Sequence, residues 1–450
     1  MARAAEPLER EQPSEQSLMA GATLALHGLS VDGVNRCVHC GLCLAYCPTF
    51  SILGTEMDSP RGRIVLIKSL AEGRIALTES TVKHLDLCLG CRACETVCPA
   101  GVPYGQLLEA ARAEIERQRP GGPIRRFFRW MNFSVLLPHP GLLRLAAAGL
   151  RFYQWSGLQR LARASGLLRL LPDPLAAWEP LLPDIPAAAD RTPLPERTPA
   201  EGTRRARVGL LSGCIQQVAF GPQNRATARV LARNGVEVVA PRRQACCGAL
   251  HAHSGEHAMA LTLARRAIEV FESADVEHVI VNSSGCGAHM KSYATLLADD
   301  PEWRDRARRF ASRVRDISEF LATEPLRGPL HEVRRTMTYH DPCHVVHGQK
   351  IRKEPRALLA QIPGLTLVEL PEADWCCGSA GTYNLTQPEM AGRLQERKIA
   401  HIQETGADAV VTANPGCIIQ IAQGLRAKGR PVEVLHIVDV LDRAYGGGSV

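Results

Sequence analysis

The sequence predicts a multidomain chain of 450 residues: an α-helical, metal-binding N-terminal domain, then two repeated α/β modules with parallel sheets. Two cysteine repeats, and an alternation of short β-branched runs with helical stretches, carry that expectation. The first repeat is short. Cys37, Cys40, Cys43 and Cys47 recur as Cys88, Cys91, Cys94 and Cys98, each displaced by 51 residues, with Pro48 and Pro99 in register. The second is long. Cys214, Cys246, Cys247 and Cys286 recur as Cys343, Cys376, Cys377 and Cys417, at offsets of 129, 130, 130 and 131. Together the repeats absorb all 16 cysteines.

Taken in order, residues 1–30 are rich in Glu, Gln, Ser and Ala, lack the apolar core of a signal peptide, and are expected to be a disordered leader. Residues 31–118 form the first domain. Ser59-Pro60 opens a helix running through Ile64, Leu66, Ile67 and Leu70 to Gly73. A second helix approaches Cys88, and a third follows Tyr104 with Leu107, Leu108, Ala111 and Ile115 at helical spacing. Residues 119–171 form a basic amphipathic helical segment. Residues 172–206 are a linker, with eight prolines between Pro172 and Pro199 that oppose helix or central strand. The modules occupy residues 207–330 and 331–450. Strands are expected at 207–212, 236–240 and 278–281, and again at 337–340, 365–370 and 409–412. Helices are expected near 226–234, 256–272 and 388–404, a βαβ rhythm that argues for parallel sheets.

Charge is uneven. Of a net +7, ten arginines lie between Arg117 and Pro172 with no acidic residue among them, so the remainder of the chain is net acidic. Nothing else resembles a nucleic-acid-binding module, and no nucleic acid partner is expected. No run of about 18 apolar residues occurs, so no membrane span is expected. A cytoplasmic location follows, where reducing conditions favour metal ligation over disulfides.

The short repeat has the spacing C-x2-C-x2-C-x3-C-P, which supplies three thiolates from one tight loop and a fourth where the chain turns away. In ferredoxin-type domains with two [4Fe–4S] clusters, that fourth cysteine ligates the other cluster. Cluster 1 would take Cys37, Cys40, Cys43 and Cys98; cluster 2 would take Cys88, Cys91, Cys94 and Cys47. A zinc ribbon uses pairs of C-x2-C and has no role for a third cysteine at the same step, so iron–sulfur is the reading. His39 and His84 are expected at the surface, without a role.

In the long repeat each cysteine follows a strand, where open α/β sheets form their sites. Vicinal cysteines diverge along an extended chain and suit different irons better than one small ion, and Gly248 and Gly378 would let the backbone approach closely. Cys214, Cys246, Cys247, Cys286, Cys343, Cys376, Cys377 and Cys417 are therefore candidates for additional metal or redox sites. Further iron–sulfur clusters are one reading; metal-free, zinc-holding or redox-thiol sites are the other. No catalytic residue is predicted, and no G-x-G-x-x-G opens a helix after a strand, so neither flavin nor NAD is expected in this chain.

These residues resemble the cysteine-rich CCG modules of heterodisulfide reductase subunits and of several quinone-linked 2-hydroxy-acid dehydrogenases. Here His289 and Gln420 stand where that pattern has a final thiolate. The order of ferredoxin, linker and two CCG modules resembles the iron–sulfur subunit family of bacterial glycolate oxidase over nearly the whole chain. Arg36–Gly41, Ser59–Arg63, Cys246–Ala249, Ser284–Gly287, Cys376–Tyr383 and Val411–Asn414 carry the likeness. The resemblance implies an electron-transfer subunit of an oxidoreductase complex, fed by flavoprotein subunits that oxidise glycolate and delivering towards quinone. Alternatives are the iron–sulfur subunit of a D-lactate or anaerobic glycerol-3-phosphate dehydrogenase, a heterodisulfide-reductase-like catalyst, and, least favoured, a structural metal scaffold. His289 is read as an ordinary loop or helix-start residue.

Seven of 21 aromatics fall between Phe127 and Trp155, interleaved with Arg125, Arg126, Arg129 and Arg151. The first expectation is a helical bridge with aromatics inward. Docking on a partner subunit, or peripheral contact with the cytoplasmic face of the inner membrane, are the alternatives.

Overall fold

A computed structural model of the protein describes residues 31–166, 168, 178–429 and 432–446. The expected leader lies outside them, as do residues 172–177 of the proline-rich stretch.

The first domain is helical among its described residues. Ser59 caps the helix Pro60–Ala71: its hydroxyl accepts from the Gly62 amide at 2.9 Å, and Pro60 sits in the first turn, where its missing amide costs nothing. Thr78 caps Glu79–Asp86, and Tyr104–Gln118 follows the second cysteine run. Ile64, Ile67 and Leu70 of the first helix meet Leu85 of the second and Leu107, Leu108, Ala111 and Ile115 of the third. Cys88 and Cys94 lie in the same core. The ligand loops are thus folded onto packed helices rather than suspended in solvent.

Each module is a sheet flanked by helices. The first contains β1 (Arg197–Thr198), β2 (Ala206–Leu210), β3 (Val236–Val239), β4 (His278–Val281) and β5 (Val314–Asp316), in the order β1-β3-β2-β4-β5. The second contains β6 (Thr336–Tyr339), β7 (Thr366–Val368), β8 (Ala409–Thr412) and β9 (Glu433–His436), in the order β7-β6-β8-β9. Every pairing is parallel except β1 with β3. The proline-rich stretch therefore ends as an antiparallel edge strand, where flanking prolines leave no central ladder donor missing.

The modules share one hydrophobic core, in which Val208, Ile280 and Val236 of the first meet Met337, Tyr339, Val411 and Leu435 of the second. The helix Ile437–Ala444 packs on Gly221–Arg233, with Arg229 bidentate to Asp442 at 2.6 and 3.0 Å and Asn234 bonded to the Tyr445 hydroxyl at 3.0 Å.

The helix Pro123–Trp130 runs on into a π-turn at Met131–Leu136, and that continuous stretch meets the helix Pro140–Trp155 at 114°. Among the described residues no single helix is long and apolar enough to cross a membrane; this bent pair passes only when taken together. The expectation of inward aromatics fails for most of them. Phe127, Trp130, Phe152 and Trp155 are exposed; the inward stripe is instead Phe133, Leu137, Leu143 and Ala147, packed on the first module. Arg125 and Arg129 turn to Glu116, and Arg129 also to Glu256 at 2.5 Å.

Candidate metal centres

Cys37, Cys40, Cys43 and Cys98 line one hollow, whose wall Cys94 also reaches. Cys40 is exposed and the others are part-buried. His39 (φ 56) and Gly41 (φ 81) adopt left-handed backbone, which curls the loop around the hollow. Arg61 pins that loop, its guanidinium donating to the His39 carbonyl at 3.3 Å while pairing with Glu56 at 2.7 Å. Burial, ahead of the neighbouring sulfurs, pushes the Cys43 thiol up to about 11.

Cys47 leaves its own run, precedes the helix Pro48–Leu53, and lies among Cys88, Cys91 and Cys94. Burial first, then the sulfurs of its neighbours, drives the Cys91 and Cys94 thiols well above their ordinary value. Around this quartet stands a shell of donors. The Tyr104 hydroxyl and the Gly90 amide each lie 3.4 Å from Cys88 Sγ, and Thr49 Oγ1 lies 3.3 Å from Cys47 Sγ. Arg63 is fully buried; it donates to Thr49 Oγ1 at 3.0 Å and to the His84 carbonyl at 2.7 Å, and pairs with Asp58 at 3.4 Å. His84 does not lie free at the surface as expected: it is part-buried, with Nδ1 2.9 Å from Asp58. The polar groups of Arg63 and Asp58 need partners in the core, and His84 supplies two of them.

Both quartets fit iron. Four thiols converge in each place, and the Cys43, Cys91 and Cys94 thiols, which burial holds protonated, would release their protons when a metal replaces them. Arg63 and Tyr104 were not singled out from the sequence. Arg63 had a legible signal, since it shares the buried helical stripe with Ile67 and Leu70; Tyr104 had none.

All eight cysteines of the long repeat lie beyond the carboxyl ends of strands. The vicinal thiols do not part as expected: Cys246 lies against both Cys214 and Cys247, and Cys247 against Cys286 as well, while Cys376 lies against both Cys343 and Cys377, and Cys377 against Cys417. Gly248 (φ 88) and Gly378 (φ 91) take the left-handed conformation that lets each pair turn, and a Cβ on Gly378 would sit 2.5 Å from the Ala391 carbonyl oxygen. His289 is not a helix-start residue: it is buried within the helix Ser284–Lys291, and burial lowers it to about 4. Its counterpart Gln420 is buried and accepts from Asn384 at 2.9 Å.

The second module closes over the second quartet. His344 Nε2 donates to the Gly90 carbonyl at 3.0 Å, the Tyr383 hydroxyl donates to Leu87 O at 2.9 Å, and Thr96 meets His347 at 2.9 Å. Cys91 packs in one apolar cluster with Cys343 and Cys376, and the nearness of Cys343, after burial, helps to push the Cys91 thiol up. The first module reaches the same place through His253, which bonds Glu109 at 2.7 Å and lies edge-on to His289 and His344.

Interleaved thiol quartets on a helical domain, fused to paired Cys-Cys-Gly modules, define a class: iron–sulfur electron carriers with cysteine-rich domains. Comparison with known families agrees. A 4Fe-4S dicluster domain matches residues 33–102, a cysteine-rich domain matches 208–291 and 337–422, and the linker region of the glycolate oxidase iron-sulfur subunit matches 124–182. The chain is 43% identical over 416 residues to the probable glycolate oxidase iron-sulfur subunit of Bacillus subtilis, covering 91% of this chain and 94% of that one. It is 35% identical over 422 residues to the glycolate oxidase iron-sulfur subunit of Escherichia coli, covering 92% and 95%. A shorter likeness, 33% over 237 residues, relates 52% of this chain to 96% of lactate utilization protein A of Halalkalibacterium halodurans. The chain belongs to the glycolate oxidase iron–sulfur subunit family.

Proposed function

We propose that the chain carries electrons within a glycolate-oxidising complex, taking them from a flavoprotein partner subunit and passing them towards quinone. The interleaving of the quartets, with Cys47 seated among Cys88, Cys91 and Cys94, is the observation that carries this reading. Cys37, Cys40, Cys43 and Cys98 would hold one [4Fe–4S] cluster, and Cys88, Cys91, Cys94 and Cys47 the other. When bound, such clusters supply one-electron carriage, and the protein tunes them by hydrogen bonds, charge and burial.

The residues divide that labour. Exposed Val38 and Leu42 rim the first quartet and offer an apolar face to a partner. Arg63, Tyr104 and Thr49 supply a cation and hydroxyls to the second, which favours added negative charge there. Entry at the first quartet and onward passage from the second follow from that asymmetry. The outward Phe127, Trp130, Phe152 and Trp155, beside arginines, support peripheral seating of the helix pair on anionic lipid.

The test is co-purification with the partner subunits, followed by cluster reduction seen by EPR on adding substrate. Glycolate should reduce the clusters; reduction by lactate or glycerol 3-phosphate, and not by glycolate, overturns the substrate assignment. Flotation with anionic liposomes at low salt tests the membrane seat, and absence of binding removes it.

A further inference from the structure

We propose that His340, Cys377 and Cys417 bind a single transition-metal ion in the second module, through one imidazole nitrogen and two thiolates. The three donor atoms lie within 4.8 Å of one another, and all three residues are buried. Tetrahedral coordination at ordinary zinc distances places such donors about 3.5–3.8 Å apart, so only a slight contraction is needed.

His340 makes the case. It stands directly after β6, is 0% exposed, and neither ring nitrogen has a hydrogen-bond partner. Buried polar groups in folded proteins find partners, and an imidazole aimed at two thiols has a metal ion as its natural one. Cys417 is the third residue of the helix Pro415–Ala427, whose amino end favours a thiolate, and Asn414 Nδ2 lies 3.4 Å from its sulfur.

The apolar surroundings of the vicinal pair, whose two thiols touch, assign the ligands. Cys377 packs with Cys417 in one apolar cluster, whereas Cys376 packs with Cys343 and Cys91 in another. One ion therefore takes Cys377, and its fourth position is filled from outside the trio. The donor set selects a borderline-to-soft divalent ion of the zinc, iron(II) or cobalt(II) kind, since no carboxylate is present for a hard cation. The site belongs to the second module alone. Three residues before its first cysteine, the first module has Leu211, packed in that module's core.

The test uses the full chain, purified anaerobically with cobalt(II) in the growth medium as the probe. Expected are one cobalt per chain beyond the ferredoxin iron and a thiolate-to-cobalt charge-transfer band. His340→Leu, which installs the residue of the matching position, should lose that cobalt while leaving the ferredoxin iron and its EPR signals unchanged. His340→Cys should retain the cobalt with a stronger charge-transfer band. Retention of the cobalt in His340→Leu overturns the proposal. So does a wild-type chain without it, or extra iron with labile sulfide that is indifferent to position 340.

Discussion

Arg63 is a full positive charge buried beside the second quartet, and its removal should be read directly in that cluster's midpoint potential. The guanidinium reaches Thr49 at 3.0 Å, and Thr49 reaches Cys47 Sγ at 3.3 Å, so cation and sulfur are about 6 Å apart or less. At an effective dielectric of about 20, unit charges about 6 Å apart interact by roughly 2.8 kcal/mol. For a one-electron couple that corresponds to about 120 mV. The Asp58 carboxylate, 3.4 Å from the guanidinium, offsets part of it. Arg63→Gln keeps a donor for the His84 carbonyl but loses the charge, and should lower the second cluster's potential by about 50 to 120 mV. Arg63→Lys, which keeps the charge, should shift it far less. The assay is an EPR-monitored redox titration of the anaerobically purified chain, in which the first cluster serves as internal control. Equal shifts of both clusters, or no shift in Arg63→Gln, would refute the reasoning.

Tyr104→Phe removes only the hydroxyl 3.4 Å from Cys88 and should lower the same potential by roughly 40 mV, the worth of about one weak hydrogen bond, with no loss of iron. Cys91→Ser should lose the second cluster and stop electron delivery while flavin reduction in the partner persists; normal quinone reduction would contradict the relay. Gly378→Ala combines a φ of 91° with a Cβ 2.5 Å from a backbone oxygen, whereas Gly248→Ala meets its nearest atom at 3.3 Å. The first should cost about 2–4 kcal/mol and the second visibly less, measured by urea denaturation. His289 and His344 are lowered by burial from 6.5 to about 4 and about 3. Their neutral forms stabilise the fold fully above about pH 6.5, and this is lost as pH falls towards those values. The urea midpoint should therefore fall from about pH 7 to about pH 5; a flat or rising midpoint speaks against it.

What the sequence disclosed was whatever a short segment encodes by itself. His278–Val281, Ala409–Thr412 and Pro388–Glu404 lie where β-branched runs and helical periodicity place them. β5, Val-Arg-Asp, and β9, Glu-Val-Leu-His, went unread because they carry too few apolar residues to stand out; neighbouring strands hold them. β1 hid among prolines. The thiol quartets were visible from spacing, because a tight loop must present sulfurs at fixed steps. Their surroundings were not. Cys91 and Cys343 are 252 residues apart, and their meeting depends on how the second module docks, which no local pattern records. His340 shows the same limit in smaller compass: a histidine ending an apolar strand is conspicuous beside Leu211, but its orphaned nitrogens appear only once the fold surrounds them.

The lid formed by His344, Tyr383 and His347 over the second cysteine loop bears on how the protein is made. The first quartet keeps Cys40 open to solvent and can receive iron at any time. The second has Cys47, Cys88 and Cys94 buried and is covered by a module synthesised some 250 residues later. Maturation therefore has an order: iron and sulfide must be delivered there before the C-terminal half docks, and a chain that closes empty has to come apart again to be repaired.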